Sequence, residues 1–294
     1  MDFLQILQTS PAWLAGTVFL LGLVVGSFLN VVAHRLPLMM EREWRAQCRE
    51  LMGNEAGIGT DDDAAPLNLV SPRSRCPHCG HAITALENIP VLSWLWLRGR
   101  CSDCGTRISA RYPVVELATG VLSAVAAWHF GWGWPLAGAL LFTWFLVPLT
   151  LIDLDHQLLP DSLTLPLVWI GLLASLVPVF VTPEQAIVGA AAGYLSLWLV
   201  YQLFRLVTGK EGMGFGDFKL LAACGAFMGW QMLPVVILLS SLVGAVVGIG
   251  LIALRGRDRS VPIPFGPYIA AAGWIALLWG QEIIDAYLRF AGLR

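Results

Sequence analysis

Long apolar runs separated by short polar breaks dominate the chain. Eight runs stand out: Trp13–Ala33, Val114–Phe130, Pro135–Ile152, Leu163–Val181, Ala186–Val207, Phe218–Met228, Leu233–Leu254 and Pro264–Trp279. A helix that crosses a bilayer needs about 20 mostly apolar residues, and in lipid only helices and closed barrels satisfy their own backbone. The pattern therefore predicts an all-α polytopic membrane protein with about eight transmembrane helices. The sixth run is the shortest; without it the count is seven. Composition agrees: 57% of residues are hydrophobic and 13% are charged, with a mean hydropathy of +0.70, whereas soluble domains carry about 25% charged residues. The first residues, MDFLQILQTSPAW, hold no basic stretch, and no small-residue cleavage pattern follows the first apolar run. That run reads as a retained helix, not a signal peptide.

The net charge of −2 says little, but its distribution orients the chain. No Lys or Arg lies between Arg111 and Arg205, while the segment 34–112 holds ten Arg. Arg205, Lys210 and Lys219 flank the break between runs five and six, and Arg255, Arg257 and Arg259 follow run seven. Basic residues concentrate on the cytoplasmic side, so a periplasmic N-terminus places all of these inside. Only Arg289 and Arg294 then fall outside. The organisation expected is a first transmembrane helix at 1–33, a cytoplasmic insert at 34–112 and a transmembrane bundle at 113–294. Within the insert, Asn54–Pro66 (NEAGIGTDDDAAP) reads as an acidic surface loop. There is no convincing internal repeat.

The insert carries four of the six cysteines as two pairs, CPHC at 76–79 and CSDC at 101–104. This is close to zinc-ribbon spacing. Two such knuckles bring Cys76, Cys79, Cys101 and Cys104 to tetrahedral geometry around one Zn²⁺. Gly80 and Gly105 follow the second Cys of each pair, where a tight turn needs a small residue. A reducing compartment argues against disulfides. A closed four-thiolate site is most simply structural; a redox role or a direct part in chemistry are the alternatives. His78 and His81 stand close enough to be alternative ligands. Between the knuckles, ENIPVLSWLWLRG (87–99) is apolar and rich in Trp. It is too short to span, and either dips into the membrane interface or fills the ribbon.

Two acids stand at the ends of apolar runs. Asp217 lies in GMGFGDFKLL (212–221), wrapped in glycine, and Asp153 lies in LIDLDHQLLPD (151–161). The orientation above puts both at the cytoplasmic lip of the membrane, where an acid is costly and functional by default. Gly214 and Gly216 remove side chains so that another backbone can approach Asp217. Asp217 also reads as a helix N-cap, and Asp161, after Pro160, reads as the N-cap of the fourth span. Asp155 is further from the membrane and more hydrated. Two carboxyls facing each other in a poorly hydrated site share one proton and act as base and acid to a bound water.

Taken together, GSFLNVVAHRLP (26–37), the Cys quartet, RYPVVELATG (111–120), LIDLDHQLLPD, GMGFGDFKLL and PIPFGPY (262–268) resemble the type IV prepilin peptidases. These are bifunctional leader peptidase and N-methyltransferase enzymes of the bacterial inner membrane. The resemblance runs nearly the length of the chain. It implies catalytic aspartates at Asp153 and Asp217, a GxGD motif on Gly214–Asp217 and a zinc-binding quartet at Cys76, Cys79, Cys101 and Cys104. It further implies cleavage of a short basic leader from type IV prepilins, or from type II secretion pseudopilins, after a glycine at the cytoplasmic face. Methylation of the new N-terminal residue by S-adenosylmethionine follows. No glycine-rich nucleotide loop after a strand is visible, so the methyl donor's residues are not assigned. Lipid is the remaining partner; nothing suggests nucleic acid.

Glu116, inside the second run, either tunes the dyad, binds the substrate amine or hydrogen-bonds a neighbouring helix. Asn30 reads as a helix–helix hydrogen bond and Arg35 as an interfacial anchor. Lys219 either acts on Asp217 or snorkels to headgroups. PIPFGPY either lines the cleft or stiffens the start of the last helix. Two other function classes fit parts of the pattern. An ion or proton transporter would use Asp153, Asp217 and Glu116 as a relay, but needs acids spread through the bilayer depth. A zinc-ribbon scaffold would tolerate loss of both acids.

Overall fold

Each of the eight apolar runs carries a helix. A computed structural model describes residues 2–52, 67–177, 179–255 and 263–292; the acidic stretch 54–66 and Arg257, Arg259 and Arg294 lie outside the described residues. The helices are α1 (Phe3–Thr9), α2 (Pro11–Met52), α3 (Leu92–Trp96), α4 (Arg111–Phe130), α5 (Trp134–His156), α6 (Asp161–Ala174), α7 (Pro183–Thr208), α8 (Phe215–Met228), α9 (Leu233–Arg255) and α10 (Gly266–Phe290). Strand-like pairing among the described residues is confined to two isolated bridges, Arg75 with Ala82 and Arg100 with Arg107.

Helix α2 departs from expectation. Its apolar run stops at Ala33, yet the helix continues through Pro37 for 42 residues in all. At 1.5 Å per residue that is about 63 Å, twice a bilayer's hydrocarbon thickness. From Glu41 to Glu50 the extension is polar and largely exposed, and Glu41 pairs with Arg45 one turn on at 2.6 Å.

Among the described residues, five helices are long and apolar enough to cross a membrane: α2, α4, α5, α7 and the stretch Trp230–Gly250, which holds a 3-10 turn and most of α9. The remaining long helix, α10, gathers Glu282, Asp285 and Arg289 in its last turns. Helices α6 and α8 have 14 residues each, about 21 Å. Length and composition thus qualify five spans, and eight remains the expectation.

The chain forms two compact units, one of residues 12–125 and one of residues 1–11 with 126–294. In the first, α2 and α4 run antiparallel with backbones in contact. A Cβ at Gly22 would lie 2.8 Å from the Gly120 Cα, and one at Gly26 2.8 Å from the Glu116 Cα. Asn30 donates to the Tyr112 carbonyl at 3.2 Å, further along the same seam.

In the second unit, α8 is the hub. Eleven of its 14 residues are buried, enclosed by α6, α7 and α10. This explains its small-residue sequence, because apolar helices attract one another in lipid mainly through close packing. The contact with α7 is the tightest. Gly189 and Gly225 face each other so closely that a Cβ on either would lie 2.2 Å or less from the other's carbonyl oxygen. One turn along, a Cβ at Gly193 would meet the Leu221 carbonyl oxygen at 2.6 Å. Phe142, Leu149, Leu167, Phe218, Phe227 and Ile269 complete the core around α8.

Candidate active site

Helix α5 delivers Asp153 one turn before its end. The helix closes with Gln157 in the left-handed conformation (φ 54°), its amide bonded to the Asp153 carbonyl. That cap turns the chain back and buries Leu159. The Asp153 side chain is buried, 5% exposed, and its Oδ2 accepts the Gly266 amide at 2.9 Å. Gly266 is the first residue of α10, where backbone N–H groups have no partner within the helix. PIPFGPY therefore contributes more than a stiff helix start.

Asp217 sits in the first turn of α8, whose N-cap is Gly214. It is not the cap itself. Its carboxyl reaches back to the Gly214 amide, while its Oδ1 is buried with no hydrogen-bond partner among the described residues. Leu159 packs against Gly216, the residue before Asp217, and against Gly266, whose amide holds Asp153. A Cβ at Gly216 would lie 2.5 Å from the Leu159 Cβ, and one at Gly266 3.1 Å from the Leu159 Cδ1 and 2.6 Å from the Asp153 Oδ2. The missing side chain at Gly216 thus makes room for Leu159, whereas a Cβ at Gly214 would meet no atom within 4 Å. Both carboxyls are buried in this one unit. Two buried carboxyls so arranged can activate and orient a water between them.

The other acids sort away from this pair. Asp155 is exposed. Asp161 is not an N-cap: Pro160 holds that position, and the Asp161 carboxylate takes the Lys219 ammonium at 2.5 Å. Lys219 is thereby paired with Asp161, not aimed at Asp217.

Gly266→Ala is expected to push the Asp153 carboxyl off its amide. Displacement of a catalytic group by about 1 Å can lower a rate about 10²-fold. If Asp153 is catalytic, as the sequence resemblance implies, peptidase activity should fall by that order with helix content unchanged, read by an activity assay beside circular dichroism.

The cysteine quartet closes within the other unit. Cys76 Sγ lies 3.8 Å from Cys104 Sγ, Cys79 Sγ lies 3.9 Å from Cys101 Sγ, and all four sulfurs fall within 4.8 Å of one another. A tetrahedron with metal–sulfur bonds of about 2.3 Å has edges of about 3.8 Å, so the thiols fit one tetrahedral metal ion. The two knuckles share one pattern. Cys76 and Cys101 each donate an amide to the carbonyl five residues on, and Gly80 and Gly105 turn with φ of 74° and 69°. No cysteine is in a disulfide.

Glu87 fastens one knuckle to the other. It accepts the Ser102 hydroxyl and the Thr84 amide and hydroxyl, with His81 Nε2 at 3.3 Å. These bonds, Ser102 foremost, hold its carboxyl down at about 2. His81 faces Glu87, not the sulfurs. Glu116 accepts the Val91 amide at 2.7 Å, a hydrogen bond to the insert, and its carboxyl also meets the Ser27 hydroxyl of the neighbouring helix α2. Arg35 is buried and donates to the carbonyls of Asn68 and Pro72, so it holds the chain beside the insert and is no exposed anchor.

Residues 20–130 match the Bacterial Peptidase A24 N-terminal domain, and residues 140–249 match the Type IV leader peptidase family. A protein of Aeromonas hydrophila named prepilin leader peptidase/N-methyltransferase is 62% identical over 92% of both chains. Proteins of the same name from Pseudomonas aeruginosa and Stutzerimonas stutzeri are 56% and 55% identical over nearly their whole lengths. The chain belongs to the type IV leader peptidase family. The leader-peptidase match holds Asp153 and Asp217, and the N-terminal match holds the quartet and Glu116. Gly266 lies beyond both matches, and its contact with Asp153 was legible only as a glycine inside PIPFGPY. No solved structure matches the chain.

Proposed function

We propose that this member of the leader peptidase family cleaves the basic leader from type IV prepilins, or from type II secretion pseudopilins. The cut falls after a glycine, at the cytoplasmic face of the bacterial inner membrane, and Asp153 and Asp217 perform it. The observation that carries the reading is the burial in one unit of two carboxyls, Asp153 and Asp217, neither paired with a cation among the described residues, with Leu159 packed against Gly266 and Gly216 beside them. The basic-residue distribution supports a periplasmic N-terminus. A prepilin's basic leader precedes a long apolar helix, so its cleavage point meets the lip where the acids stand.

The ionised member of the pair removes a proton from water, whose oxygen attacks the scissile carbonyl carbon. The protonated member donates to the carbonyl oxygen. The tetrahedral intermediate collapses with transfer of a proton to the amine, and the C–N bond breaks. The Gly266 amide fixes one oxygen of Asp153, so its other oxygen is the one presented to water.

Zn²⁺ suits the quartet and would fold the insert when bound, as closed four-thiolate sites do. N-methylation by S-adenosylmethionine is carried by family membership alone. Among the described residues there is no strand, hence no glycine-rich strand-to-helix loop, and no residue is given the methyl-donor role.

The test is purified protein in nanodiscs with a prepilin and methyl-labelled S-adenosylmethionine, leader loss and label transfer scored separately. Both should occur; absence of leader loss from folded protein contradicts the proposal. Cys76→Ser is expected to release the metal and open residues 67–110 to protease, with the helices from Trp134 onward intact. Unchanged protease resistance would show that the metal does not hold the insert.

A further inference from the structure

The segment between the two knuckles turns its apolar side chains outward. Leu92 is 64% exposed, Leu95 58% and Trp96 87%. Trp94 is half-buried, as are Val91 and Leu97; it packs on Gly99 and donates its indole N–H to the Ile108 carbonyl at 3.2 Å. Filling the ribbon thus leaves Leu92, Leu95 and Trp96 unaccounted for. Three large apolar side chains on a five-residue helix, all turned to solvent, are a patch that needs a partner.

The hydrogen bond to Glu116 gives the depth of this patch. Helix α4 has 20 residues, about 30 Å, and needs its whole length to span. Glu116 lies five residues past its start, about 7.5 Å along the axis. The Val91 amide reaches it through a γ-turn: Val91 has φ 61° and ψ −48°, and Leu92 N donates to the Pro90 carbonyl. A β-branched residue with positive φ is strained and persists only when its surroundings enforce it. This turn pins the start of α3 beside the outermost turns of a membrane span. Arg98 and Arg100 follow, both exposed. Trp next to Arg is the composition of a bilayer interface.

We propose that residues 89–96 dip into the bilayer interface, with Leu92, Leu95 and Trp96 at the headgroup–acyl boundary and Arg98 and Arg100 among anionic headgroups. The metal-binding insert is thereby moored to the membrane surface. The occupant is lipid, because the patch continues the lipid-facing surface of α4, where Val114 and Leu117 are also exposed.

The proposal is tested on full-length, zinc-loaded protein in phosphatidylglycerol nanodiscs. Leu95→Cys in a Cys48→Ser background is labelled with an environment-sensitive fluorophore, with Trp96→Cys as a second site and Asp103→Cys, on the exposed second knuckle, as reference. The Cys48→Ser parent reports stray labelling. Labels at 95 and 96 should lose most of their emission to a lipid carrying a shallow nitroxide and little to aqueous iodide; the label at 103 should do the reverse. Iodide quenching at 95 and 96 equal to that at 103 overturns the proposal. So does shielding from both quenchers, or lipid quenching that a bound prepilin abolishes, since each means that water or protein covers the face.

Discussion

Asp217→Asn is expected to leave the protein inserted and folded while leader cleavage falls by about 10²–10⁴-fold or more, the range by which acid–base groups accelerate reactions. Asn keeps the size of Asp and most of its packing. It keeps an amide oxygen for the reach to Gly214 but cannot pass a proton at the pH of the cell. Asp217 is 8% exposed and its Oδ1 has no partner among the described residues, so nothing structural depends on that oxygen's charge. Removing a buried charge that is not paired with a cation is often neutral or stabilising, and thermal stability should hold or rise as activity vanishes. Asp153→Asn should match it in activity. Quantitative cleavage of a prepilin, with melting followed in the same detergent or nanodisc, checks both halves.

Gly225→Leu is expected to do the opposite and remove the fold. The Cβ alone would lie 2.1 Å from the Gly189 carbonyl oxygen and 2.4 Å from its carbon. Backbone cannot yield as a flexible side chain can, so α7 and α8 must separate. Since α8 carries Asp217 and is the hub of its unit, the loss spreads. Overpacking in a core costs about 1–3 kcal/mol and sometimes more, and a backbone clash belongs at the upper end. Membrane levels of Gly225→Leu should fall sharply, and the protein that remains should aggregate on extraction. Gly214→Ala, whose Cβ meets nothing within 4 Å, should express normally.

Much of this was readable in the chain. Asp153 and Asp217 are acids at the ends of apolar runs, and each is buried. The quartet was readable because CxxC spacing encodes a local turn. What escaped depends on contacts remote in sequence. Gly266 and Leu159 matter through a close approach that no local pattern records. Helix α2 runs past Ala33 because EREWRAQCRE is a polar helix, signalled by pairs such as Glu41 and Arg45 but invisible to an apolar-run criterion. The Val91 turn had no signal, since Pro–Val is not turn chemistry. Asp161 looked like a cap because caps precede helices; Pro160 holds that place, and Lys219 claims the carboxylate.

The account rests on Asp153 and Asp217 acting as one unit, and single-turnover cleavage by Asp153→Asn, Asp217→Asn and the double variant in nanodiscs tests that most directly. Groups that work as a unit lose about as much singly as together. Each single variant should fall to the same floor as the double. A double variant slower than either single by the product of their losses, or a single variant cleaving near the normal rate, would contradict the dyad.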